Sequence, residues 1–410
     1  VNLRSIWLFF IVIPSILNGQ DESPDRSGAS GLNDTIPLEE VSISVMPFRE
    51  TLREATGGLY LTNTRELDLG QEVTISEQIN LAPGIYMAEG TYTTSRLVIR
   101  GVGSRTPYNS NRIRAYLDDI PLTTGDGIST VEDLDPVSIG IMEILKGPSS
   151  ALYGSGIGGV VRLNSPYPVE EGTQINLSGE FGSFHTGSMG ATASYKNDRM
   201  AVIGGISRYF SEGYRENNSF HRNNLFLSAR CFGTKHTLSL TFSLVDLDAQ
   251  IPSSLNETDF ESAPWKAAES WKSVEGYEAY VKLLGGLKLE SKLGSRTANH
   301  LVLFSSYANP YESRPFNILD DQSVAAGFRE YLEFDLSRIK LRAGMEFFHE
   351  WYQWQIYETV QGSRGQLQSD HREVRKYLNG FILVQWRPVP KIIIDGGLNL
   401  NLLRYGLETR

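Results

Sequence analysis

From Gly172 to the last residue the chain repeats one pattern: apolar side chains on every second position, in runs of about ten residues. Ile175, Leu177 and Phe181 share a parity, as do Met189, Ala191, Ala193 and Tyr195. Leu225, Leu227 and Ala229 follow, then Leu238, Leu240, Phe242 and Leu244. Further on come Val281, Leu283, Leu287 and Leu289, and Leu341, Ala343, Met345 and Phe347. A period of two places such residues on one face of a strand. The other face carries Ser, Thr, Asn, Lys, Glu and Gly, and polar loops such as YFSEGYRENNSFHRNN separate the runs. About ten or eleven strand-sized segments fit the region. A soluble sandwich strand alternates in the same way, so an extracellular β-sandwich and a membrane-spanning barrel both remain open. Aromatic pairs near strand ends, Tyr209-Phe210 and Trp351-Tyr352, favour the barrel.

The N-terminus points the same way. Arg4 precedes the apolar run IWLFFIVIPSIL, which is too short to span a bilayer and is followed by the polar DESPDRSGASGLND. Residues 1–19 read as a secretory signal peptide, although Leu17 stands where a small residue is preferred. Residues 20–37 read as a disordered leader. An exported chain without a long apolar helix is what a barrel requires.

Several function classes fall away. A net charge of −10 gives no electrostatic support to nucleic-acid binding. The single cysteine, Cys231, excludes an internal disulfide framework. The six histidines form no H-E-x-x-H pair, and GPSSALYG lacks the G-x-S-x-G spacing of a nucleophile elbow. The chain is not expected to be an enzyme, and neither a metal site nor an intrinsic cofactor is expected.

Residues 38–168 have another character. Short strands are expected in RLVIRGVG and RIRAYLDDIPL, the second closing in a turn at Asp118-Asp119. TISEQINLAPGI suits a one- or two-turn helix, and VEDLDPVSIGIMEILKG a short helix followed by a strand. Then comes EILKGPSSALYGSGIGGVVRL, a glycine-rich turn between two apolar strands. A phosphate loop would follow its glycines with Lys and Ser or Thr, whereas this run offers Gly-Gly-Val-Val. Packing is the better reading: Gly147-Pro148 turns the strand, and Gly154, Gly156, Gly158 and Gly159 permit positive φ or close approach to another wall.

That stretch resembles the plug signature of the TonB-dependent outer-membrane receptors, carried here by Glu143, Lys146, Gly147, Pro148, Tyr153, Gly154, Gly158 and Gly159. VIRGVGSR, with Arg100, Gly101 and Gly103, and AYLDDIPL resemble the family's upstream plug strands. The resemblance implies a mainly β fold: a small α/β plug domain (47–168) inside a transmembrane antiparallel β-barrel of about 22 strands. About half of that barrel is present, in residues 172–410.

The resemblance also implies function: TonB-coupled import of a scarce solute across the outer membrane of a Gram-negative bacterium. An iron-siderophore or similar ferric chelate is the expected cargo; haem, cobalamin or a glycan is the alternative. Glu40, Val41, Ser42, Ile43, Ser44 and Val45, within a segment at 38–46, stand where the family carries its TonB box. Such a segment pairs by strand addition with TonB of the TonB-ExbB-ExbD complex. Other implied partners are outer-membrane lipid and the barrel assembly machinery.

In the family two basic plug residues face two glutamates on the barrel wall, and Arg100 and Lys146 fall on those positions. Arg105, Tyr108, Asn109 and Asn111 are candidate solute contacts in an apex loop. The chain ends at LNLLRYGLETR, without the aromatic-terminated strand common in such barrels. An open half-barrel would leave an unpaired edge in lipid, so a longer polypeptide is expected. A truncated remnant, or a surface protein that binds without importing, is the rival reading.

Overall fold

The computed structural model describes residues 57–63, 74–106, 108, 110–148 and 150–409. The expected signal peptide, leader and TonB-box segment lie outside these residues. Strands β1 (Gly58–Asn63), β2 (Ile85–Thr91), β3 (Thr94–Ile99), β4 (Ile113–Leu117), β5 (Ile120–Pro121), β6 (Ile141–Lys146) and β7 (Gly159–Asn164) build the plug, with helices α1 (Ser76–Asn80) and α2 (Ser150–Tyr153). Five of these strands form one sheet in the order β1-β6-β7-β4-β5, in which only β4 and β7 run parallel. β2 and β3 form a separate hairpin. Ile79 of α1, Met87 and Ile99 of the hairpin, and Ile113, Ile144 and Val161 of the sheet close into one buried cluster.

The second system comprises β8 (Gly172–Phe181), β9 (Gly187–Lys196), β10 (Met200–Ser211), β11 (Phe220–Phe232), β12 (His236–Gln250) and β13 (Tyr277–Lys292). It continues through β14 (Thr297–Ala308), β15 (Tyr311–Ser313), β16 (Ile318–Asp335), β17 (Ile339–Val360), β18 (Ser363–Val389) and β19 (Ile392–Thr409). Eleven strands follow one antiparallel path from β8 to β19, and the short β15 bridges β13 and β16. Short connections, such as 197–199, 233–235 and 336–338, gather at one rim; long ones, 212–219 and 251–276, gather at the other.

The parity of these strands is inverted relative to a soluble sandwich. Leu177 is 81% exposed and Leu398 80% exposed, and Leu225, Leu238, Leu287 and Met345 also face out. The opposite parity buries Arg222, Asn224, Arg329, Glu346, Glu350 and Asn379. Apolar residues outside and polar residues inside is the arrangement a bilayer imposes on a barrel wall. Among the described residues no helix is long and apolar enough to cross a membrane. The sandwich alternative is thereby set aside.

Leu240 lies on the outward face, mid-way along β12. Leu240→Arg should therefore cost about 2–4 kcal/mol near the bilayer midplane, whereas Leu240→Val should be nearly silent. The assembled, heat-modifiable fraction in purified outer membranes reads this out; equal assembly of the two variants would contradict the inverted parity.

Candidate functional site

The seam between plug and wall begins at the glycine hairpin. β6 and β7 pair antiparallel, and the Gly147 amide donates to the Gly158 carbonyl at 3.1 Å across the loop mouth. Gly154 has φ +71° and lies against the Tyr377 hydroxyl and the Asn401 amide of the wall. A side chain there would collide with the barrel, and the conformation disfavours one anyway. One turn earlier, the Leu152 carbonyl accepts from Arg329 at 3.3 Å and from Asn379 at 3.4 Å. The guanidinium of Arg329 lies over the rings of Tyr116 and Tyr153, 5.1 and 5.2 Å from their centroids. It is paired with Glu346 at 2.6 Å, and Glu346 also accepts from the Tyr116 hydroxyl at 3.4 Å. The hairpin is thus a packing element pressed on a charged aromatic cage, as its glycines suggest.

A second set of contacts comes from acids on the plug. In the β4–β5 turn, Asp118 and Asp119 both take positive φ, 49° and 73°. Asp119 is buried between Arg162 of the plug at 3.2 Å and Lys288 of the wall at 2.8 Å. Burial alone would raise its pKa, but the two cations hold its carboxyl well below the ordinary carboxylate range. Asp118 accepts from Thr241 of β12 at 2.7 Å. Asp133 pairs with Lys282 at 2.5 Å and accepts from Tyr280. Asp135 accepts from Ser207 at 2.5 Å and Tyr209 at 3.2 Å. The plug supplies anions and the wall supplies cations and hydroxyls. Removing one partner of such a buried pair leaves an uncompensated charge, a loss of about 3–5 kcal/mol.

The third element is the loop after β5. The Glu350 carboxylate accepts from the Gly125 amide at 2.8 Å, and the Tyr405 hydroxyl donates to the Gly125 carbonyl at 3.0 Å. Arg375 reaches both Glu350 and Asp126 at 3.4 Å. Beside this loop lies a cavity of about 330 Å³, bounded by Thr124, Ile128, Phe304, Tyr307, Asp321 and Tyr352 among others. Tyr307 and Pro310 place it toward the rim of long connections.

The sequence-derived candidates fall unevenly on this geometry. Glu143 is buried in β6, and Gly101 and Gly103 turn the chain after β3 with φ +84° and +102°. The expected pairing of Arg100 and Lys146 with wall glutamates is not made among the described residues. Arg100, at φ +49°, lies across Gly58 and donates to the Lys146 carbonyl at 3.4 Å. Lys146 donates to the Pro83 carbonyl at 2.8 Å, so both side chains bond the plug itself. Pro148 is exposed. Arg105, Tyr108 and Asn111 are exposed in their loop, Arg105 bordering a separate cavity of about 200 Å³; Asn109 lies outside the described residues. Sequence reasoning missed Asp119, Asp133, Arg329, Glu346, Glu350 and Arg375. The acid-rich LDD and VEDLD segments and the charges on the polar strand parity were the available signal. Among the described residues no three His, Cys, Asp or Glu side chains gather as metal ligands.

Glu132, next to Asp133, is buried, and its carboxyl is pushed up to about 7 by that burial and then by the Asp133 charge. An acid whose folded pKa is raised keeps a proton that the unfolded chain gives up near 4.5. Stability is therefore lost as pH rises from about 4.5 to about 7. Glu132→Gln should unfold at a higher temperature than the parent at pH 8, by up to about 3 kcal/mol in stability, and show no advantage at pH 4. Thermal denaturation in detergent across that range checks this; parallel pH profiles would contradict it.

A family model described as the TonB-dependent Receptor Plug Domain matches residues 51–161. The ferrioxamine receptor of Yersinia enterocolitica is 30% identical over 107 residues, 25% of this chain and 14% of that protein. The vitamin B12 transporter BtuB of Vibrio vulnificus is 22% identical over 186 residues, 44% of this chain and 28% of the relative. Among solved structures, the unliganded ferric citrate transporter FecA superposes with a TM-score of 0.74 at 15% identity, over 87% of this chain and 57% of that one. The ferric yersiniabactin receptor FyuA of Yersinia pestis gives 0.71 at 14% identity, over 86% and 61%. The chain thus spans less than two thirds of each of these relatives. Plug signature, inverted strand parity and shared fold agree: residues 51–161 match the TonB-dependent receptor plug domain, and the chain shares the fold of the plug and part of the barrel with these outer-membrane receptors.

Proposed function

We propose that this chain is the plug-bearing part of an outer-membrane receptor that imports a scarce solute, an iron-siderophore or similar chelate, by coupling to TonB-ExbB-ExbD. The domain limits that go with this reading are a plug over 47–168 and a barrel region from 172 onward. The observation that carries it is the chemistry of the seam. Tyr153 and Val160 of the plug cluster with Tyr331 and Phe381 of the wall, and beside these apolar patches the plug is held by ion pairs and hydrogen bonds such as Asp119–Lys288 and Asp135–Ser207. A polar seam seals at rest, yet its groups can exchange partners with water when the plug is pulled. A seam of interdigitated apolar side chains would have no such alternative partners.

Solute entering from the long-loop rim would meet the cavity beside the 123–129 loop. Occupancy there bears on Glu350 and Arg375, which hold that loop, and so on the plug beneath it. The segment Glu40–Val45, alternating in its side chains and modest in their size, would take the pull by strand addition. Iron-chelate relatives support the cargo class; the likeness to a cobalamin transporter keeps corrinoids as the second reading.

The test is accumulation of radiolabelled ferric chelates and of cobalamin by cells expressing the full-length gene product, with and without a protonophore. Ile43→Pro should abolish energised accumulation while leaving surface binding intact, because proline removes a ladder donor. Normal accumulation by that variant would overturn the coupling role, and binding that is never followed by uptake would favour a non-importing receptor.

A further inference from the structure

The cavity beside the 123–129 loop has a charge of its own, and this bears on the solute; the argument rests on the import reading above. Its lining includes four carboxylates, Asp126, Asp133, Asp321 and Glu350, against two cations, Lys282 and Arg375. Both cations are already engaged. Lys282 pairs with Asp133 at 2.5 Å. Arg375 is shared among Glu373 at 2.7 Å and Glu350 and Asp126 at 3.4 Å, and stacks over Tyr352 at 4.2 Å. Neither is left to receive an anionic solute.

Asp321 stands differently. One of its oxygens accepts from the Tyr352 hydroxyl at 2.8 Å, while the other, Oδ1, is buried and has no hydrogen-bond partner among the described residues. Arg314, whose charge Asp321 feels, is paired with Glu312. A buried carboxylate oxygen without a donor is costly, and a ligand that brings a donor relieves the cost. Phe304, Tyr307 and Phe348 line the same space and offer π faces, which attract cations and repel anions. The 251–276 connection at the same rim adds five acids against two lysines, so approach is biased in the same sense.

We infer that the solute carries a positive charge: an ammonium group, free or on an arm of a chelate, docks in this cavity beside the carboxylate of Asp321. Polyanionic chelates are disfavoured by the same surface. The cation is held by charge and hydrogen bonding within the aromatic lining, with the remainder of the chelate on the open side.

One linear ferric trihydroxamate in three forms tests this: terminal amine free, acetylated and succinylated, hence cationic, neutral and anionic with one shared iron core. Binding to the full-length receptor in outer membranes should favour the amine form over the succinylated form by about tenfold or more at low salt, the gap narrowing as salt rises. Asp321→Asn should weaken the amine form by about tenfold and leave the acetylated form unchanged. Equal or tighter binding of the anionic form overturns the inference, and so does an Asp321→Asn effect that is the same for all three. If the three are ignored while a ferric polycarboxylate accumulates in an energised manner, the charge assignment fails and the import reading stands. If neither ferric chelates nor cobalamin accumulate, the import reading fails with it.

Discussion

Everything in this molecule follows from where the membrane forces polarity to go. Strands that cross lipid must turn their apolar parity outward, which leaves the concave face of the wall studded with Arg222, Arg329, Arg342, Glu346, Glu350 and Gln385, all buried. Charges removed from bulk water need partners. The plug supplies many of them: Asp119 for Lys288, Asp133 for Lys282, the Leu152 carbonyl for Arg329 and the Gly125 amide for Glu350. Wall and plug complete one another's hydrogen bonding.

This interdependence gives the seam its specificity. Acids of the plug meet three strands of the wall, β10, β12 and β13. Seating draws on charge, on the close approach of Gly154 and on the apolar cluster that Tyr153 and Val160 form with Tyr331 and Phe381, while a separate apolar cluster around Ile79, Ile99 and Val161 holds the plug itself together.

How much of this could be read from the sequence varies by level. The alternating runs were legible because period two is a local property, and Leu225, Leu238 and Met345 are on the outward face they imply. Which face was outward was not local; it depended on export and on the plug signature. The glycine hairpin was legible as a packing turn, and Gly154 meets Tyr377 more than two hundred residues away. That partner could not be inferred, because register between distant strands leaves no mark in either segment. For the same reason the seam acids were seen only as a turn and as part of a short helix. Arg100 and Lys146 bond carbonyls within the plug among the described residues, and no local signal marks which wall residues would face them.

The central claim is that the plug is seated in the wall by the Asp135–Ser207 and neighbouring contacts, which the proposed import requires it to leave. Its most direct test is a Cys231→Ser background carrying Asp135→Cys and Ser207→Cys, positions whose side chains meet at 2.5 Å. Oxidation in intact outer membranes should join them in high yield and block energised uptake, and reduction should restore it. Failure to cross-link in an assembled receptor would contradict the seating, and full uptake with the bond closed would contradict the need for that contact to open.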